Sequence, residues 1–154
     1  MKTRIALASL AGFFIGLAVC VAADLQLGTW KLNEEKSKIP AGAPKNTTVV
    51  YEMAGDNVKS TIDGVDAEGK PTHAEWTGKF DGNDHPATGG STYDTLAFKK
   101  VNDHTLSLTV KKAGKVTANG RIVVAPDGKS RTVTLTGTDP SGKPFASTAV
   151  YDKQ

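Results

Sequence analysis

The side chains able to do chemistry are few, and their spacing assembles no familiar machinery. Beyond residue 23 the 154-residue chain has two arginines, Arg121 and Arg131, and three histidines, His73, His85 and His104. Zinc sites draw on close pairs such as H-x-H or H-x-x-x-H. The histidines here lie in or beside different turns and form no such pair, so they read as surface residues. Calcium would want a twelve-residue loop ending in glutamate. Neither Asp63, Asp66 and Glu68 nor Asp81, Asn83 and Asp84 follows that pattern, and turns by themselves favour such residues. No nucleophile elbow and no phosphate-binding loop is present. The single cysteine, Cys20, falls in an apolar leader, which leaves the rest of the chain without a thiol for disulfides, catalysis or metal. The expectation is a protein with no catalytic residues, no metal and no cofactor.

The leader bears on where the protein works. Lys2 and Arg4 precede an apolar run from Ile5 to Val21, and Val21-Ala22-Ala23 offers small residues for cleavage before Asp24. This is the outline of a secretory signal peptide, residues 1–23, cut after Ala23. The run is short for a membrane span, and no basic cluster follows to stop transfer. A lipoprotein signal ending at Cys20 is the less fitting alternative, because Val19 is not the small residue such sites want. The mature protein, residues 24–154, is expected in the periplasm or secreted, with no membrane span. Losing Lys2 and Arg4 leaves 17 basic against 16 acidic residues. A chain so close to neutral, with no basic block, gives no electrostatic footprint for nucleic acid.

The elements holding these residues read as strands. The mature chain has 17 threonines and 11 valines against 7 leucines, types that suit a pleated surface better than a helix. Arg131-Thr132-Val133-Thr134-Leu135-Thr136 and Thr105-Leu106-Ser107-Leu108-Thr109-Val110 alternate apolar with polar, one dry face and one wet. Turn signals such as Asp63-Gly64, Asp127-Gly128 and Asp139-Pro140-Ser141-Gly142 punctuate the chain. Strands are expected near 26–33, 47–54, 57–63, 71–80, 92–100, 105–111, 115–124, 130–137 and 144–152, with little or no helix. Pro86 would confine a short strand at 84–88 to an edge. Asn33 to Asn46 reads as one long connection that could cross a barrel mouth. A sheet this large must remove its edges. The expectation is one all-β domain, an up-and-down antiparallel barrel of 8–10 strands; a two-sheet sandwich fits the same pattern less well.

The opening strand, Leu27-Gly28-Thr29-Trp30-Lys31-Leu32, has a Gly-x-Trp that resembles the start of a calycin, the group of lipocalins and fatty-acid-binding proteins. Phe80-Asp81-Gly82-Asn83-Asp84-His85-Pro86 adds a likeness to small exported bacterial lipocalin-like proteins. The resemblance implies that Gly28 and Trp30 plug one end of the barrel, the ring lying under an arginine. Gly114-Lys115, Arg121, Asp127-Gly128-Lys129 and Val150-Tyr151-Asp152-Lys153 resemble the last third of fatty-acid-binding proteins. There Arg121 matches the first arginine that grips a lipid carboxylate, and Tyr151 matches the tyrosine. Ala149 stands in place of the second arginine, and the helical lid is missing.

Alternation leaves the direction of Arg121 open. Val116, Ala118, Gly120, Ile122 and Val124 make the more apolar face of its strand, which would turn Arg121 outward. Pointing inward, it would have to be paired or meet an anion. Arg131 competes for the place over Trp30. Trp76 shares a face with Ala74, Gly78 and Phe80, and Tyr51, Phe98, Phe145 and Tyr151 suit inner faces. The candidate ligand-contacting set is therefore Arg121, Tyr151, Trp76, Tyr51 and Phe98. Two functions compete: a barrel that buries a small hydrophobic ligand, and a filled barrel or sandwich that docks another envelope protein. The size and lining of the interior decide between them.

Overall fold

The computed structural model describes residues 24–154; the expected signal peptide, residues 1–23 with Cys20, lies outside them. Ten strands follow one another: β1 (Gly28–Lys38), β2 (Lys45–Ala54), β3 (Asn57–Val65), β4 (Pro71–Gly78), β5 (His85–Thr88), β6 (Thr95–Asn102), β7 (Thr105–Lys112), β8 (Lys115–Val124), β9 (Ser130–Thr138) and β10 (Pro144–Lys153). Each pairs antiparallel with its chain neighbours, and β10 returns to β1 to close the barrel. The closing ladder sets Trp30 opposite Lys153 and Leu32 opposite Tyr151. This is the up-and-down barrel expected from the alternation, and closure excludes the sandwich. No helix occurs among the described residues.

The register explains which side chains turn inward, since residues directly opposite in a ladder point to the same face. Ile122 of β8 faces Leu106 of β7 and Val133 of β9, and Val133 faces Ala149 of β10. The threonines between them, Thr132, Thr134 and Thr136, take the wet face. Barrel closure also needs strands to bend, and small residues permit it. A Cβ on Gly64 would run into the Lys45 carbonyl oxygen, and one on Gly137 into that of Thr117. These glycines open two matching turns, Asp66 to Lys70 and Asp139 to Lys143. In each, the aspartate carboxylate accepts the backbone N–H of the residue two further on and of the lysine, at 2.8 to 3.0 Å. The backbone then closes from the aspartate N–H to the lysine carbonyl at 2.9 Å.

Two expectations need correction. The segment after Asn33 is not one long loop: β1 continues to Lys38, β2 starts at Lys45, and only residues 39–44 connect them. Pairing survives through a wide bulge between Asn33 and Lys38. Ser37 holds the bulge down, its hydroxyl donating to the Asn33 carbonyl (2.7 Å) and accepting the Val150 N–H (2.9 Å). The doubtful strand near Pro86 exists as β5, and it is inside the wall, not at an edge. It joins β4 and β6 through only two residue pairs on each side, the briefest joins in the barrel. Proline has no N–H to give a ladder, and Ala87 supplies the link instead by donating to the Asp94 carbonyl at 2.9 Å.

Candidate functional site

The interior is built around aromatic rings and one cation. Trp30 is wholly buried at the end where residues 24–27 and the C-terminal Gln154 meet. Residues 24–27 cross beneath it, and the Gln26 carbonyl accepts its indole N–H at 2.8 Å, meeting the need of a buried indole for an acceptor. Gln26 in turn reaches the His104 carbonyl (3.4 Å), and Lys100 pairs with Asp24 (3.6 Å). Gly28 lies beside the Lys153 side chain. The Lys153 ammonium stands 4.9 Å from the Trp30 ring centroid.

Arg131, 2% exposed, is the arginine over Trp30. Its guanidinium carbon is 4.7 Å from the Trp30 ring centroid, 5.0 Å from Tyr51 and 5.2 Å from Tyr151. Three ring faces thus surround one cation, an arrangement favoured by the ring quadrupoles. No carboxylate lies within ion-pair distance of it among the described residues. Nε and Nη1 find no well-formed hydrogen bond, and the buried Ser60 hydroxyl on β3, like the guanidinium, makes only a loose contact with the Tyr51 hydroxyl. Burial weakens the hold of Arg131 on its proton, while the adjacent Tyr51 and Tyr151 strengthen it.

The same environment acts on the phenols. Burial raises Tyr51, opposed by the charge of Arg131. Burial likewise pushes Tyr151 up to about 12, opposed again by Arg131. A phenol raised in the folded state keeps its proton when the unfolded chain has lost it, so stability falls as pH rises past the unfolded value. Tyr151 alone accounts for ~2–3 kcal/mol, present below pH ~10 and lost by pH ~12. Urea melts between pH 8 and 12 are expected to show that decline, and Tyr151→Phe is expected to flatten it.

A second group of rings adjoins Tyr51. Trp76 and Phe98 meet edge to face with centroids 4.7 Å apart, and Phe80 stacks parallel to Trp76 at 6.3 Å. Tyr51 contacts Phe98 and Phe80 at 6.2 and 6.1 Å. The Trp76 N–H donates to the Leu96 carbonyl (3.2 Å), and His85 of β5 sits against its edge (5.9 Å). The structure therefore brings Tyr51, Trp76 and Phe98 together, and it joins Tyr151 to them through Arg131.

Arg121 is not among them. It is exposed on the outer face of β8, because Ala118, Ile122 and Val124 fill the inner face as their alternation requires. It lines a shallow outside groove with Asn119, Gly120, Thr134 and Thr136. A second hollow lies between Glu34, Ser37, Ile39 and Lys45 at the rim. The histidines stand apart: His73 meets Asp63 (2.6 Å), His85 meets Asp81 (3.3 Å) and His104 meets the Val124 carbonyl (3.1 Å). Sequence reasoning named Arg131 only as a rival for the stacking place and passed over Ser60. The signal was available, since Arg131 shares its face with Val133 and Leu135.

No family model matches the chain, and no curated protein matches it. Solved structures do. EF1p2_mFAP2b bound to DFHBI is similar at 15% identity, with a TM-score of 0.48 over 86% of this chain and 97% of that one. A redesigned β-barrel, mFAP1, bound to DFHBI is similar at 18% identity, with a TM-score of 0.44 over 86% of this chain and 98% of that one.

Proposed function

We propose that the protein is an exported, non-enzymatic barrel that takes a small apolar molecule into its interior, working in the periplasm or outside the cell. The carrying observation is the lining. Tyr51, Trp76, Phe80 and Phe98 form one aromatic wall, while Leu108, Val133, Leu135 and Phe145 are only half-buried on inward faces toward the other end. Apolar sites with a few convergent polar groups are the usual architecture for small ligands. Export rests on the leader, with its basic start, apolar stretch and Ala23 cleavage position.

Titration with phenylnaphthylamine, a neutral probe that fluoresces in apolar surroundings, tests the reading. A saturable rise with one-site stoichiometry is expected, weakened by Trp76→Ala. A signal that grows linearly with probe removes the interior as a ligand site.

The second reading, an envelope protein that docks a partner, is favoured by the position of the hollows. Both the Arg121 groove and the Glu34–Lys45 hollow lie on the outside or rim. A linear probe signal, with Arg121→Glu abolishing capture of a partner from envelope extract, would support it.

A further inference from the structure

The hairpin tips at the end away from Trp30 are unlike one another. The β1–β2 tip, Ile39-Pro40-Ala41-Gly42-Ala43-Pro44, has no polar side chain. Pro40, Ala41 and Pro44 are exposed, while Ile39 packs against the core and anchors the tip from behind. The Ala43 N–H donates to the Pro40 carbonyl at 3.1 Å and draws the turn tight. Prolines have no N–H to strip of water, which lowers the cost of carrying this backbone into an apolar medium.

Lysines border this tip and its neighbours along the wall. Because β10, β9, β8 and β7 follow β1 around the barrel, the β9–β10 and β7–β8 tips continue the same arc. Lys38, Lys112, Lys115 and Lys143 are exposed along it, and none is in an ion pair among the described residues. Val116, 54% exposed, and Pro144 add apolar surface beside them. Two carboxylates share the arc, and both are turned into backbone. Asp94 accepts the Ala113 N–H at 2.9 Å, and Asp139 accepts those of Ser141 and Lys143, each at 2.9 Å. On β1, Glu34 is held by Lys45 (3.0 Å), and Glu35 precedes the tip next to Lys36. The opposite arc has no such excess, since Asp66 and Glu68 there outnumber Lys70.

We propose that this arc docks the barrel, mouth first, on the surface of an anionic lipid bilayer. The 39–44 tip dips among the headgroups, and the four lysines stand over the phosphates. Interfacial binding of this kind adds a buried apolar area to the attraction of fixed cations for a negative surface. Neither contribution is large alone, because six small residues bury little and salt screens exposed charge. Docking is independent of whether the interior holds a ligand.

Sedimentation with vesicles of phosphatidylglycerol mixed into phosphatidylcholine tests the docking, against vesicles of phosphatidylcholine alone. Binding is expected to the mixed vesicles only, and to fade as salt is added. Each lysine near such a surface is worth about fivefold in partitioning. Lys112→Gln, Lys115→Gln and Lys143→Gln combined should therefore weaken binding about a hundredfold. Lys79→Gln with Lys129→Gln, exposed at the Trp30 end, should leave it within about twofold. Ala41→Trp should strengthen it about fivefold, because tryptophan favours the headgroup region. All these positions are exposed, so each variant should keep the parent's far-ultraviolet circular dichroism. Glycerol phosphate, a headgroup without a bilayer, should not displace the protein. Equal binding to both vesicles, binding to neither, or an equal loss from the far-end pair overturns the proposal. So does displacement by glycerol phosphate, and so does indifference to Ala41→Trp.

Discussion

Trp30→Ala is expected to lower the unfolding free energy by about 4 kcal/mol, at the upper end for a core truncation. Trp30 is, with Trp76, the largest fully buried side chain among the described residues, and its removal undoes three things together. The packed area under the barrel end is lost, the Gln26 carbonyl loses the indole N–H, and two cations, Arg131 and Lys153, lose the ring between them. Domains of this kind hold only ~5–15 kcal/mol in total, so the variant should melt well below the parent protein. Urea denaturation followed by far-ultraviolet circular dichroism measures it. Trp30→Phe should regain part of the loss, because a smaller ring still fills the end but has no N–H to give. A loss under about 1 kcal/mol would show that the end is held by the ladders alone.

The two truncations of Arg131 are expected to diverge. Arg131→Ala removes a long, fully buried side chain from among three rings and should destabilise by about 4 kcal/mol through the void it leaves. Arg131→Met keeps most of the volume and discards an interior charge that no carboxylate balances. Desolvating such an ion costs several kcal/mol, more than the ~2 kcal/mol that ring faces return to a desolvated cation. The methionine variant should therefore be as stable as the parent or more so, by ~1 kcal/mol or above. Denaturant midpoints of the three proteins decide it. If methionine is as damaging as alanine, the guanidinium charge itself is what holds the rings in place.

That contrast also marks how far the sequence could be read. The alternation at Thr105–Val110 and Arg131–Thr136 specifies strands with one dry face, and a neutral chain with many turns and no helix period leaves closure as the simplest way to hide that face. Trp30 stood out because a large ring so near the start of a barrel has an end to close. The same alternation favoured Arg121 outward and set Arg131 on the face of Val133 and Leu135, and the likeness to another family's last strands pulled attention to the wrong arginine. The bulge held by Ser37 could not be seen: Glu34-Glu35-Lys36-Ser37 carries no periodic signal, and its pairing depends on a hydroxyl meeting a strand over a hundred residues away. Phe80 was readable on the face of Trp76 from alternation, whereas His85 opens the short strand broken by Pro86, so its packing on Trp76 follows from tertiary structure alone. The meeting of Arg131 and Ser60 at the Tyr51 hydroxyl is likewise a property of neighbours, not of local sequence.

The slender fifth strand has a consequence for how the molecule breathes. A closed wall of hydrogen bonds unzips where it is thinnest, and four pairings around a proline yield long before the nine that tie β9 to β10. Opening there would swing the His85 imidazole off the indole and bare the aromatic wall from the side, while the Trp30 end stays shut. The barrel thus has a stiff hoop and one soft stave.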